Sequence, residues 1–344
     1  YPIPTRPGTA EIPKMEQPTQ QWLEQADAAE SSCPCDCDCS APLWAYRSYV
    51  FGETLYLKAT GVDMSHAIQQ STLGGPGPVP DGRVGVVDPL FTTGFRTGFV
   101  KAIDDRSSVG MTYTNYHSHA TDTLPAANEP GGTVSSLVLH PNSLAAGSTS
   151  SQVSAGYDID FQLVDLDYRR LLAGGMLGAV NYTAGVRYAK LSQQFQQIGD
   201  FSPPAATLQT STNITFEGVG FRTGFDGQRR IANSRLSAYA KGFISVLFGH
   251  FHSNYSQLDA TTGSVEAASN WANDRVLPIL DYEVGINWTS SNGRWVMATG
   301  YYTAFWFNAV TTPQFVPAVQ TSNFANLGQT IAFDGLVSRL EFRF

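Results

Sequence analysis

Leu280-Asp281-Tyr282-Glu283-Val284-Gly285-Ile286-Asn287-Trp288, with Asn292-Gly293 just beyond it, is the stretch that decides the fold class. Leu280, Tyr282, Val284, Ile286 and Trp288 alternate with Asp281, Glu283, Gly285 and Asn287. A period of two sends the two groups to opposite faces of a β-strand. Asn-Gly is the strongest short hairpin signal, because a type I′ turn needs positive φ at both central residues. The stretch reads as one arm of an antiparallel hairpin.

Working outward, the same alternation recurs. Tyr157, Ile159, Phe161 and Leu163 alternate with Asp158, Asp160 and Gln162; Tyr182, Ala184, Val186 and Tyr188 alternate with Asn181, Thr183, Gly185 and Arg187. Extended segments are expected at 47–60, 92–103, 108–122, 153–172, 179–199, 211–226, 233–256, 274–291, 293–311 and 328–344. Long connections (61–91, 123–152, 200–210, 257–273, 312–327) alternate with short ones, which carry Asp104-Asp105, Gly174-Gly175, Asp226-Gly227 and Asn292-Gly293. That alternation is expected of a membrane barrel with short periplasmic turns and long outer loops. An even strand number also places both ends of the barrel on the periplasmic side. The strands exceed the ~5–6 residues usual in soluble sheets and the ~9–11 needed to cross a bilayer.

Composition agrees. Charged residues make up 15% of the chain, against ~25% in soluble globular proteins. No apolar run is long enough for a transmembrane helix. The net charge of −8 excludes nucleic acid as a partner, since there is no basic stripe to neutralise phosphates. The fold class is therefore all-β, an antiparallel transmembrane β-barrel of about ten strands (roughly 10–12). Its apolar stripes, including Tyr157 to Leu163 and Leu280 to Ile286, are expected to face lipid, and the polar sets the interior. Aromatics near strand ends (Tyr46, Tyr49, Phe51, Tyr188, Trp288, Trp306, Phe307) are expected in the interfacial girdles.

Residues 1–45 differ in kind, being rich in Pro, Gln, Glu and Ala. They read as a flexible periplasmic arm preceding a barrel over 46–344. Tyr1-Pro2-Ile3-Pro4 looks like a start left by removal of a signal peptide. All four cysteines, Cys33, Cys35, Cys37 and Cys39, fall in the arm. Direct bridging at i, i+2 is strained. Bridges to other chains, an unstructured tail with scrambled disulfides, and a soft-metal site all remain open.

The chain ends Gly335-Leu336-Val337-Ser338-Arg339-Leu340-Glu341-Phe342-Arg343-Phe344. Leu340, Phe342 and the terminal Phe344 on one face look like the signal read by barrel assembly machinery. With this end in place, residues 46–344 resemble the Legionella-type pore-forming outer-membrane protein family, which is expanded in planctomycetes. The resembling segments are Phe51-Gly52-Glu53-Thr54-Leu55-Tyr56-Leu57-Lys58, Val164-Asp165-Leu166-Asp167-Tyr168, Gly218-Val219-Gly220-Phe221-Arg222-Thr223-Gly224, Ser245-Val246-Leu247-Phe248-Gly249-His250 and Pro278-Ile279-Leu280-Asp281-Tyr282-Glu283-Val284-Gly285. The resemblance implies a barrel and a pore, in the outer membrane of a Gram-negative-type bacterium. It supplies no residue-level mechanism.

Asp158, Asp160, Arg187, Arg222, Arg235, Lys241, Asp281 and Glu283 are the lumen-lining set expected from strand phase. They would either set the electrostatics of a pore or fill a narrow lumen as a salt-bridge network, and a barrel this small favours filling. Paired acids could suggest glycosidase chemistry, but pleated strands explain them more simply. No nucleophile elbow or phosphate loop accompanies them, so no enzyme and no cofactor is expected. His117/His119 and His250/His252 read as a polar rim rather than a metal site. The expected partners are outer-membrane lipid, the assembly machinery, and further copies or neighbouring envelope proteins. The expected function is a small pore or permeation barrel; the alternative is a structural surface-array or envelope-tethering barrel.

Overall fold

This computed structural model describes residues 46–72, 77–129, 131–143, 145–175, 177–203, 205–232 and 234–344. The chain divides into Tyr1–Ala41 and Pro42–Phe344. The arm expected over 1–45, with Cys33, Cys35, Cys37 and Cys39, lies outside the described residues.

The strands are β1 (Tyr49–Thr60), β2 (Met64–Ser71), β3 (Val79–Val87), β4 (Thr92–Asp104), β5 (Ser107–Pro125), β6 (Thr133–Ser136), β7 (Thr149–Gly174), β8 (Gly178–Ser202), β9 (Ala206–Arg230), β10 (Leu236–Asp259), β11 (Ser264–Thr289), β12 (Trp295–Ala309) and β13 (Gln329–Arg343); helix α1 (Thr312–Thr321) separates the last two. Ten of them form a closed ring in the order β1, β4, β5, β7, β8, β9, β10, β11, β12, β13. β13 returns to β1 in unbroken antiparallel register, from Tyr49 opposite Arg343 to Thr60 opposite Ala332. Closure removes every edge from the ring. A small flap, β3–β2–β6, branches from β7.

All ten expected strands are the ring strands. The connections differ from expectation in two ways. Segments 61–91 and 123–152 contain the flap strands, whose pairings are short and, between β2 and β3, broken by bulges; such strands carry too little alternation to read. More importantly, 200–210 and 257–273 are not long loops. β8 and β9 run on to Ser202 and from Ala206, and β10 and β11 to Asp259 and from Ser264. Their outward side chains there are mixed, with Asp200, Thr207 and Gln209 alongside Leu258 and Val265, so hydrophobic contrast fades while the backbone ladder continues. The wall is therefore uneven: β7 to β11 have 24–26 residues, and β1, β4, β12 and β13 have 12–15.

Polarity inverts along the tall strands. On β8, Val180, Tyr182, Val186 and Tyr188 point outward and are exposed, with Asn181, Thr183 and Arg187 buried inside. Beyond Tyr188 the outward residues become Lys190, Ser192, Gln194 and Gln196, and the inward ones Ala189, Leu191, Gln193 and Phe195. The switch falls at one level across the wall, where Lys190, Glu217, His250 and Asp274 are register partners in turn. Toward the short turns the barrel is apolar outside and charged inside; beyond this row the interior is mainly apolar with a few buried glutamines, and the outer face is mainly polar, with Ile198 and Val265 among its apolar residues.

This inversion corrects the sequence reading of β7. Tyr157, Ile159, Phe161 and Leu163 are at most 2% exposed and face the interior, so Asp158 and Asp160 point outward and do not line the lumen. The apolar stripe changes face at the adjacent pair Leu163-Val164, after which Leu166 and Tyr168 are outward. The girdle assignment is corrected likewise. Tyr188, Trp288 and Phe307 lie on the outer surface, but Phe51 and Trp306 are buried inside.

Candidate functional site

The interior has two storeys. In the upper one, rings from opposite walls meet: Phe161 of β7 packs edge-on to Phe333 of β13 with centroids 4.6 Å apart, and Tyr116 and Trp306 lie at 5.3 and 5.7 Å from Phe161. All four are at most 1% exposed. α1 lies against this storey and buries Phe315 and Val316. Gln193 holds the helix entrance: its Nε2 donates to Val310 O (2.8 Å), and its Oε1 accepts from Tyr157 Oη (2.8 Å) and Thr312 N (3.2 Å). An apolar layer therefore spans the lumen.

The lower storey is a chamber of about 220 Å³. Its walls supply seven acids (Glu53, Asp165, Asp167, Asp226, Asp281, Glu283, Glu341) and seven bases (Arg96, Arg169, Arg187, Arg222, Lys241, Arg339, Arg343). The numbers cancel, as they must if charges inside a narrow barrel are to be paired rather than solvated. Arg187 of β8 grips Asp165 with Nε at 2.6 Å and Nη2 at 2.9 Å, and reaches across to Asp281 of β11 at 2.9 Å. Glu283 joins Lys241 (2.8 Å) and Arg96 (3.3 Å), and Arg96 joins Glu53 (2.8 Å). Arg222 pairs with Asp167, and Arg169 with Asp226. Guanidinium faces cover aromatic rings: Arg222 lies 3.8 Å over Phe243 and Arg96 4.7 Å over Tyr302. Pairs such as β8 to β11 and β4 to β11 join non-adjacent strands, so they can only cross the lumen.

Of the residues singled out in the sequence, Arg187, Arg222, Lys241, Asp281 and Glu283 come together here. Asp158 and Asp160 do not; they sit outside near His117 and His119, with His119 Nδ1 2.7 Å from Asp158 Oδ1. Arg235 is a further correction, since it is exposed in the turn before β10, beyond the chamber. The pairs Asp165/Asp167 and Arg339/Glu341 went unrecognised. The usable signal was parity: Asp165 and Asp167 flank Leu166 exactly as Asp281 and Glu283 flank Tyr282, each acid opposite an outward apolar residue. His250, also outward, pairs with Asp274 at 2.8 Å. At the chain end, Leu340 and Phe344 are exposed on the outer face, and Phe342 packs on Trp295 with centroids 4.8 Å apart.

The short-turn end carries a second charged feature. Arg47, Lys101, Arg106, Arg170, Arg229, Arg230, Arg235 and Arg294 surround it, with Asp104 and Asp105 the acids at its turns. None of these eight cations has a salt-bridge partner among the described residues.

A family described as the Legionella pneumophila major outer membrane protein precursor matches residues 39–336. No curated protein sequence is significantly similar. Among solved structures, the Escherichia coli outer membrane protease OmpT aligns at 9% identity over 87% of this chain and 97% of its own, with TM-score 0.47. A Pseudomonas aeruginosa FadL homologue aligns at 10% identity over 87% and 90%, with TM-score 0.24. The Pseudomonas putida toluene transporter TodX aligns at 10% over 88% and 90%, with TM-score 0.21.

Proposed function

The chain belongs to the family of the Legionella pneumophila major outer membrane protein precursor, and on that premise we propose that it is a closed outer-membrane barrel with a structural role in the envelope, rather than a standing pore. One observation carries this reading: the Phe161–Phe333–Trp306–Tyr116 layer, backed by α1, fills the lumen between the charged chamber and the far end. Ten strands leave little more room than the ~8-stranded barrels that side chains fill completely. The balanced ion pairs of the chamber offer no ring of single-sign charge for ion selection. In this reading the short turns are periplasmic, the tall β7–β11 wall stands outside the cell, and the arm with its cysteines links the barrel to copies of itself or to neighbouring envelope proteins.

Planar-bilayer recording tests the reading. The wild-type protein should give no steady conductance, and Phe161→Ala with Phe315→Ala should open a leak. A steady ohmic conductance from the wild type would overturn it. That result would favour a narrow pore gated by α1, a reading supported by the few hydrogen bonds through which Gln193 holds the helix entrance; Gln193→Ala should then raise conductance.

A further inference from the structure

We propose that the short wall of the barrel binds one anionic glycerophospholipid, with an acyl chain in an external groove over Gly52 and the phosphate among Arg47, Lys101 and Arg294. The groove measures about 760 Å³, within the ~300–1,000 Å³ typical of small-molecule sites. Its floor is Gly52 beside Thr97, and a Cβ at Gly52 would meet nothing within 4 Å. Phe99 and Met111 make one wall; Leu340, Phe342 and Trp295 make the other. The groove faces outward within the apolar belt, so hydrocarbon is what surrounds it.

The choice of lipid comes from charge. Lys101 is the next outward residue of β4 after Phe99, on the side of the short turns. Arg294 immediately precedes Trp295. Arg47 reaches the same turn, its Nη1 lying 3.5 Å from where a Cβ on Gly293 would be. All three are exposed, and none has a salt-bridge partner among the described residues. Three unpaired cations at the mouth of an apolar groove match a phosphodiester carrying a hydrocarbon tail, because long basic side chains extend to the headgroup layer while their stems stay in apolar surroundings. A zwitterionic headgroup gains less from them, since its own ammonium opposes the cations.

Native mass spectrometry of the detergent-purified full chain reads the site directly, with phosphatidylglycerol and phosphatidylcholine of equal chain length as probes. The wild type should retain one phosphatidylglycerol at least about tenfold more strongly than phosphatidylcholine. Gly52→Leu, which fills the groove, should abolish retention of both. Arg47→Gln, Lys101→Gln and Arg294→Gln together should remove the preference and leave weak, headgroup-blind retention. Each variant is first shown to be folded by its heat-modifiable migration. Equal retention of the two lipids by the wild type, unchanged retention in Gly52→Leu, or an intact preference in the triple variant would each overturn the proposal.

Discussion

Arg187 Nη2 lies 2.9 Å from Asp281 Oδ2 across the barrel interior, joining β8 to β11, which are separated in the wall by β9 and β10. Both side chains are at most 4% exposed. Truncating Arg187 leaves Asp281 buried without its counter-charge, whereas truncating Asp281 leaves Arg187 still paired with Asp165. Arg187→Ala should therefore cost about 3–5 kcal/mol and Asp281→Ala less, and replacing both by leucine should cost less than the two single changes combined. Urea unfolding in lipid vesicles, run as a double-mutant cycle, measures the coupling; additive effects would show that the pair is energetically idle.

Position relative to the inversion row sets the tolerance of the outer surface. Val284 is 50% exposed in the apolar belt, and Asn213 is outward beyond Glu217. Val284→Arg should destabilise by ~2–4 kcal/mol and Asn213→Arg by ~0–1 kcal/mol. The same unfolding assay compares them, and equal costs would mean that the belt does not end at this row.

The face assignment on β7 can be tested by spin labels. A label at Asp160 should be accessible to a water-soluble relaxation agent, and one at Leu166 to oxygen in the bilayer. Phe161→Ala, inside the apolar layer, should cost about 3–5 kcal/mol. A lipid-exposed Phe161 and an Asp160 shielded in the lumen would return β7 to the single-phase reading.

In the flap, burial holds His66 below the usual histidine range even though Asp122 Oδ2 lies 3.1 Å from its Nε2. Above the unfolded value near ~6.5 the imidazole is neutral in both the closed and opened flap, and it adds nothing to the pH dependence. As pH falls through ~6.5 toward the lower folded value, the opened state takes up a proton first, and stability is lost. Hydrogen exchange of segments 64–72 and 133–138, corrected for intrinsic rates, should show more opening at pH 5 than at pH 7, and His66→Gln should flatten that difference. Equal protection at both pH values would mean that His66 does not govern the flap.

Cys33, Cys35, Cys37 and Cys39 have no strain-free partner among themselves at i, i+2 spacing. Non-reducing gels of envelopes, with thiols blocked at lysis, should show ladders that collapse on reduction. Replacing all four by serine should remove the ladder and leave a heat-modifiable barrel, because residues 46–344 contain no cysteine. A wild-type monomer on such gels would rule out crosslinking.

The sequence by itself determined the ring. Alternation over stretches such as Leu280 to Trp288, together with turn chemistry at Asn292-Gly293, specifies strand and hairpin through local sterics, and ten such segments with a matching terminal strand leave closure as the way to satisfy every edge. It did not determine which face is inside along the tall strands. Period two is the same for a soluble wall and a membrane wall, so the phase of Tyr157 to Leu163 is legible only once the surroundings of each face are known; the change at Leu163-Val164 is local in sequence, but its meaning is not. Tertiary structure alone decided that Arg187, beside Asp165 on the neighbouring strand, also reaches Asp281, because ion pairing across a lumen depends on closure of the wall, which brings β8 within reach of β11. It also decided that α1 and four rings close the interior, since the diameter of a ten-stranded ring, and not any local pattern, sets how many side chains are needed to fill it.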